Sequence, residues 1–200
     1  MIDLPEPMDR PKTNRTPLPG HILDAALDVW SQAGEHHFIP ITGHSMLPLI
    51  QDGDRVLVAH GCTDVRRGEV IVFWHEDGLV AHRVLHVHDG DAGPIFVTKG
   101  DNASQFDPPS SSSEIVGRVL AVERDGRHMP LDTTAWRVLG WFIASGTLAW
   151  ARLYGWCQAL KQRFLGTQPN CTTTFLRRSA QALFSLVLKV MQVIVCRWKD

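Results

Sequence analysis

Residues 42–54 read Thr-Gly-His-Ser-Met-Leu-Pro-Leu-Ile-Gln-Asp-Gly-Asp, and this stretch determines how the rest of the sequence is interpreted. Apolar residues at Phe38–Ile41 precede it and Arg55–Val58 follow it, so the pattern predicts a short connection between two strands. Such a connection holds Ser45 rigidly and exposes it to solvent. Gly43 allows close approach of a substrate carbonyl, and the Ser45 amide can donate to an oxyanion. Ser45 is therefore a candidate nucleophile, and an ordinary surface loop is the alternative.

Two further blocks follow in order, Val80-Ala81-His82-Arg83-Val84 and then Thr98-Lys99-Gly100-Asp101-Asn102-Ala103-Ser104-Gln105-Phe106-Asp107. With the Ser-Met-x-Pro turn they resemble the type I signal peptidases. Within that family they are similar to the branch of the endoplasmic reticulum, archaea and some spore-forming bacteria, which uses histidine where common bacterial enzymes use lysine. The resemblance covers about residues 38–122, less than half of the chain.

This resemblance implies an all-β catalytic domain and a serine endopeptidase. The expected substrate is a precursor peptide or protein, bound in extended form and cut after small side chains. His82 matches the position of the histidine, and two aspartates six residues apart match Asp101 and Asp107. The oxyanion and substrate-binding residues expected in the turn are Gly43, Ser45, Met46 and Pro48.

The chemistry of a serine nucleophile independently requires these residue types. A hydroxyl must lose its proton to a neighbouring base, and an imidazole with an ordinary pKa of about 6.5 is mostly neutral at pH 7. We predict that His82 is this base. A carboxylate on the other ring nitrogen would fix its tautomer, and we assign that role to Asp107 with Asp101 as the rival. Asp101 can equally organise a turn through backbone amides.

The histidines raise the alternative of a metal site. His75, His82, His86 and His88 crowd one region, and strand alternation would put the last three on the same face. No Cys or Glu cluster accompanies them at ligand spacing, so we expect neither a metal nor another cofactor.

Composition predicts one compact domain with additions, mainly β. The chain has 200 residues, is 44% hydrophobic and carries a formal charge of −1, which implies no nucleic-acid partner. Residues 1–20 are predicted to be a disordered Pro-rich tail. Residues 21–131 form the predicted catalytic domain, beginning with a short amphipathic helix up to about Gly34. Its predicted strands are 54–60, 69–74, 79–88, 94–98 and 115–123, with a hairpin turn at Asp125-Gly126.

Residues 132–200 form a predicted helical region with helices at 134–165 and 173–197. Each is too short or too charged in its apolar part to span a bilayer easily. Their tryptophans and basic residues suit a membrane interface, while a soluble helical hairpin that packs on the β domain or mediates dimerisation is the alternative. We expect neither a signal peptide nor an anchor before Ser45, and the expected location is membrane-associated or cytoplasmic.

Three other functions stay open. If the enzyme is cytosolic, it would resemble a protease that removes leader peptides in a peptide biosynthetic cluster. A self-cleaving regulator like the SOS repressors shares the β fold and the Ser-Met turn, but uses a lysine base and a DNA-binding domain. A non-catalytic peptide-binding module would keep the pocket without turnover.

Overall fold

A curved antiparallel β-sheet followed by one long helix forms the fold, so the predicted mainly β class is confirmed. The computed structural model describes residues 29–30, 34–62, 64–75 and 78–165. Its elements are β1 (His36–Pro40), β2 (Arg55–His60), β3 (Val70–His75), β4 (Gly78–Gly90), β5 (Gly93–Lys99), β6 (Ser110–Ser111), β7 (Ile115–Arg124), β8 (Arg127–Pro130) and α1 (Thr134–Leu165), with a short 3-10 turn at Ser112–Glu114.

The strands lie in the order β1-β2-β7-β3-β4-β5-β6, and every neighbouring pair is antiparallel. The long strand β7 pairs with β2 along one edge, and with β3 and then β8 along the other. The five predicted strand segments are confirmed within one or two residues, because runs of β-branched residues separated by Gly, Asp and Pro encode strands strongly. The two-residue strand β6 has no such signal.

The hairpin between β7 and β8 turns at Asp125-Gly126, as predicted. Both turn residues have positive φ, 50° and 74°, and Arg124 pairs with Arg127 across the turn. Asp and Gly tolerate this left-handed conformation better than other residues, which is why the dipeptide marks a two-residue hairpin.

Two hydrophobic clusters lie on opposite faces of the sheet. The larger contains buried Met46, Leu49 and Ile50 from the β1–β2 connection together with Trp136, Leu139 and Ile143 from α1. The smaller is centred on Ile71, Phe73, Val84 and Phe96. The larger cluster therefore ties the segment around Ser45 to the C-terminal helix.

Helix α1 matches the predicted helix at 134–165 and contacts β4. Its backbone touches the turn before β3 at two glycines, where a Cβ on Gly68 would lie 2.4 Å from the Gly140 carbonyl carbon. Only glycine at both positions allows this approach. In the described part of the chain, no helix combines the length and hydrophobicity needed to cross a bilayer.

Several predictions fall on residues that the structure does not describe. The predicted tail at 1–20 and the second C-terminal helix at 173–197 lie outside the described residues. Of the predicted N-terminal helix, Val29, Trp30 and the final residue Gly34 are described. Val29 and Trp30 are helical, and Gly34 lies in a turn.

Candidate active site

The connection between β1 and β2 presents Ser45 to solvent and anchors the residues after it. Ser45 is exposed, whereas Met46, Leu49 and Ile50 are each at most 5% exposed. Pro48 is buried as well. Since the turn is fixed by these apolar side chains, the Ser45 hydroxyl is held in place although it faces water.

The two aspartates of the Asp-Gly-Asp segment stabilise the same turn by accepting hydrogen bonds. Asp52 accepts one from the Gly43 amide at 2.8 Å, and Gly43 has a φ of 98°, which disfavours any other residue. Asp54 is buried and accepts bonds from the Gln51 amide and, in bidentate form, from Arg124 at 2.6 and 2.8 Å. These two carboxylates therefore stabilise the conformation of the β1–β2 connection, and neither contacts Ser45, His82 or Asp107.

His82 on β4 joins Ser45 to Asp107. The Ser45 Oγ lies 3.0 Å from His82 Nε2, and His82 Nδ1 lies 2.7 Å from Asp107 Oδ2. Both distances are within hydrogen-bonding range, and the His82 and Asp107 side chains are only 11% and 12% exposed. With Nδ1 protonated and donating to Asp107, Nε2 is free to accept the serine proton.

Asp107 is held in its charged form by its hydrogen bonds. Burial raises the pKa of the Asp107 carboxyl, but bonds from His82 and Thr98, the charge of His82 and that of His75 outweigh it, so the pKa lies below its ordinary value. Thr98 Oγ1 donates to Asp107 Oδ2 at 2.8 Å, and the Asp107 amide donates to the Thr98 carbonyl at 3.0 Å. The carboxylate is thus positioned from β5.

The rival aspartate, Asp101, contacts a different partner. Arg83 donates to it twice, from Nε to Oδ1 at 2.8 Å and from Nη2 to Oδ2 at 2.6 Å. Arg83 Nη1 also donates to the Gly68 carbonyl at 2.7 Å. Asp101 is therefore placed to stabilise the surrounding loops through Arg83, while Asp107 is the aspartate that contacts His82.

The segment after β5 holds the serine turn from the other side. The Asn102 amide donates to the Ser45 carbonyl at 2.7 Å, and its side chain donates to the His44 carbonyl at 3.1 Å. A Cβ on Gly100 would lie 2.7 Å from the Ser45 carbonyl oxygen and 3.1 Å from His82 Nε2. Glycine is required here by close approach, with no need for positive φ.

The Ser45 amide is available to a substrate. Its N–H donates to no acceptor within the described residues, whereas Gly43, also expected to bind substrate, already donates its N–H to Asp52. Met46 and Pro48, also expected to bind substrate, are buried and support the turn, and their part in substrate binding stays a prediction.

The expected common face of His82, His86 and His88 is wrong. The β4–β5 register shifts between Val84 and His86, and Val80, Val84 and Val87 all belong to the same hydrophobic cluster. This bulge moves His86 and His88 to the opposite face from His82, where both are exposed. No group of His, Cys, Asp or Glu suited to a metal ion occurs among the described residues.

Sequence reasoning missed several residues that position the site, and each lay inside a block already singled out. Arg83 follows His82, Thr98 begins the second block, and Asn102 follows Asp101. Arg83 reaches Asp101 through the pairing of β4 with β5. Asn102 reaches the β1–β2 connection, 58 residues earlier, and Thr98 reaches Asp107 because the chain turns back after β5. The Asp-Gly-Asp segment was likewise noted without a role, because its partner Arg124 lies 70 residues away.

Comparison with known protein families gives one match. The family model described as Peptidase S24-like matches residues 6–120, which is more than half of the chain. No curated protein matches the sequence significantly. The matched residues include the exposed serine, the histidine and both aspartates described above.

Proposed function

The chain belongs to the peptidase S24-like family, a family of serine-type peptidases, and on that premise we propose that it is an endopeptidase similar to the type I signal peptidases of the Ser-His branch. Its proposed substrate is an extended signal or leader peptide within a precursor. One observation carries the proposal, namely the continuous hydrogen-bonded path from exposed Ser45 through buried His82 to partly buried Asp107. The S24-like match supports serine peptidase chemistry, and the histidine in place of a lysine favours this branch.

In the proposed mechanism, Ser45 Oγ attacks the scissile carbonyl while His82 Nε2 takes its proton. Asp107 stabilises the imidazolium through Nδ1, and the Ser45 amide donates to the oxyanion. His82 then gives the proton to the leaving amine, which departs from an acyl-enzyme. The same imidazole accepts a proton from water, whose oxygen attacks the ester carbonyl, and returns it to Ser45 as the acid product leaves.

The sheet offers an edge for an extended substrate. β1 pairs only with β2 within the described residues, and it ends at Pro40, shortly before Ser45. A peptide that adds to this edge by backbone hydrogen bonds would run toward the nucleophile. Gly100 and Asn102 close the other side of the turn, and this crowding beside Ser45 agrees with the small side chains that the resemblance implies before the cut.

The test uses purified full-length protein and a panel of extended peptides with either small or bulky residues before one bond. We expect cleavage only of the small-residue peptides, and none by a folded Ser45→Ala variant. Ser113→Ala, an exposed serine outside the site, is the matched control and should retain full turnover. Cleavage by Ser45→Ala would exclude the proposed nucleophile.

The same samples separate the competing functions. If wild type cuts only its own chain, at a rate independent of protein concentration, it is a self-cleaving protein of the repressor kind, which the S24-like match also allows. If it binds the peptides but cuts neither them nor itself, it is a binding module. Cutting of leader peptides by protein from the soluble cell fraction would favour the cytosolic leader-removing protease.

A further inference from the structure

Helix α1 has one side in the core and an opposite side that is rich in exposed apolar residues. Trp136, Leu139, Ile143 and Ala144 are at most 9% exposed, and they face the sheet. Val138, Trp141, Phe142, Leu153 and Trp156 recur at helical spacing on the other side and are 48–62% exposed. These five residues are called the aromatic face. They form two groups on this side, Val138, Trp141 and Phe142 in one and Leu153 and Trp156 in the other, about three turns apart. Single exposed apolar residues are ordinary, but groups of large ones on one side of a helix mark an interaction surface.

The charges that belong to helix α1 have one sign, although Arg137 is paired with Glu69 of the turn before β3 at 3.7 Å. Helix α1 contains no Asp or Glu, and its charged residues are Arg137, Arg152, Lys161 and Arg163. Residues 133–200 carry nine Lys and Arg against a single acidic residue, Asp200, whereas residues 1–132 carry 11 against 20. The near-zero net charge of the protein thus conceals a basic C-terminal region joined to an acidic catalytic domain. An anionic surface would attract the basic C-terminal region and repel the acidic catalytic domain.

We propose that the aromatic face of α1 docks onto the surface of an anionic lipid bilayer, with the helix lying parallel to it. Tryptophan suits this location because the indole has an apolar body and a polar N–H, and basic residues beside it bind anionic headgroups. A second copy of the chain packed on this face would add further basic residues of α1 and none of its own acidic residues, because α1 has none. Residues 166–199 are basic without any acidic residue, so they are poor electrostatic partners for α1 too.

Docking through α1 would orient the catalytic domain. The buried side of the helix shares the core with Met46, Leu49 and Ile50, and Gly140 touches the Gly68 turn. The helix is therefore fixed relative to the β-sheet. When α1 lies on a bilayer, Ser45 would keep a constant orientation and distance relative to the lipid surface. This inference concerns where the protein binds and does not depend on peptidase activity.

The experiment measures co-sedimentation of full-length protein with phosphatidylcholine vesicles and with vesicles that also contain phosphatidylglycerol. We expect at least 10-fold tighter binding to the anionic vesicles, and weaker binding as salt increases. Trp141→Ser/Trp156→Ser should reduce that binding at least 10-fold. Phe106→Ser removes an aromatic ring that is 43% exposed but lies outside α1, and should leave binding unchanged.

A second pair of variants tests the charge. Arg152→Gln should weaken binding to anionic vesicles roughly 5-fold, which corresponds to about 1 kcal/mol for one basic residue near the surface. Arg127→Gln, an exposed arginine at the β7–β8 turn, should leave it unchanged. Thermal unfolding of each variant verifies that the fold is retained.

Three outcomes would overturn the proposal. The first is the absence of binding to anionic vesicles at low salt. The second is binding that the tryptophan pair does not weaken, or that the control variants weaken equally. The third is a wild-type protein that is a dimer and binds no vesicles, together with a Trp141→Ser/Trp156→Ser variant that is a monomer. In that case a second copy of the chain covers the aromatic face.

Discussion

Arg83 and Asp101 form a bidentate ion pair that is almost completely buried, with side chains 4% and 3% exposed. The pair links three parts of the molecule, because Arg83 also donates to the Gly68 carbonyl beside α1 while Asp101 adjoins the segment that holds the serine turn. Asp107, six residues further along, is bonded to His82 instead. Two aspartates of one sequence block therefore have separate structural positions.

Replacement of Asp101 should mainly lower stability, whereas replacement of Asp107 should mainly lower turnover. Asp101→Asn leaves the buried Arg83 guanidinium without a counter-charge and should destabilise the protein by about 3 kcal/mol. Asp107→Asn keeps the shape but favours the wrong imidazole tautomer, and should lower turnover on the order of 10⁴-fold. Urea unfolding and peptide turnover, measured on both variants, check this. A stable Asp101→Asn protein with lost turnover would exchange the two roles.

The lowered pKa of Asp107 predicts how its contribution to stability depends on pH. The unfolded carboxyl titrates near an ordinary value of about 3.9, whereas the folded one titrates lower, so the unfolded state binds more protons between these values. The difference in unfolding free energy between wild type and Asp107→Asn should be constant above about pH 5. It should shrink as pH falls through the folded pKa. A difference that is independent of pH down to about 2 would contradict the hydrogen-bonded carboxylate.

Gly100→Ala should disable the site without unfolding the protein. The added methyl would approach the Ser45 carbonyl oxygen and His82 Nε2 within distances that real contacts rarely show, so the turn or the imidazole must move. Displacement of the reacting groups by about 1 Å should cost about 10²-fold in turnover. Gly155→Ala on α1 is the matched control, because nothing lies within 4 Å of the position that its methyl would occupy. Equal turnover in the two variants would show that the turn tolerates displacement.

His60 should make the protein sensitive to mild acid. It is 4% exposed, both ring nitrogens lack partners within the described residues, and burial, followed by the charges of His37 and His36, lowers its pKa. The unfolded state therefore takes up this proton at higher pH, and stability falls as pH drops below about 6.5 toward the folded pKa.

His60→Phe keeps an aromatic ring beside Trp30 but cannot titrate. Unfolding free energies measured at about pH 7.5 and about pH 5, on either side of the ordinary histidine pKa, should differ less for this variant than for wild type. His88→Phe, at an exposed histidine of β4, should retain the wild-type dependence. If His60→Phe has the same pH dependence as wild type, the titrating group lies elsewhere.

Local patterns predicted the elements of this fold, and ordered motifs predicted which residues meet. The strands follow β-branched runs. His82 and Asp107 adjoin because β4 pairs with β5, and the segment after β5 also holds the turn that carries Ser45. The position of Asp101 could not be predicted, since its partner Arg83 becomes visible only through the β4–β5 register. The bulge at Leu85 also left no sequence signal and reversed the faces of His86 and His88. Apolar residues of α1 predicted a helix, but not which side enters the core.

The shared core of α1 and the serine turn affects when the site can exist during synthesis. Met46, Leu49 and Ile50 emerge from the ribosome long before Trp136, Leu139 and Ile143, against which they pack. Elongation at about 5–20 residues per second separates the two groups by several seconds. The nascent β-strands can pair in this interval, but the turn that carries Ser45 still lacks the side chains of α1 that pack against it. We therefore expect the growing chain to be catalytically silent until its C-terminal helix has been made.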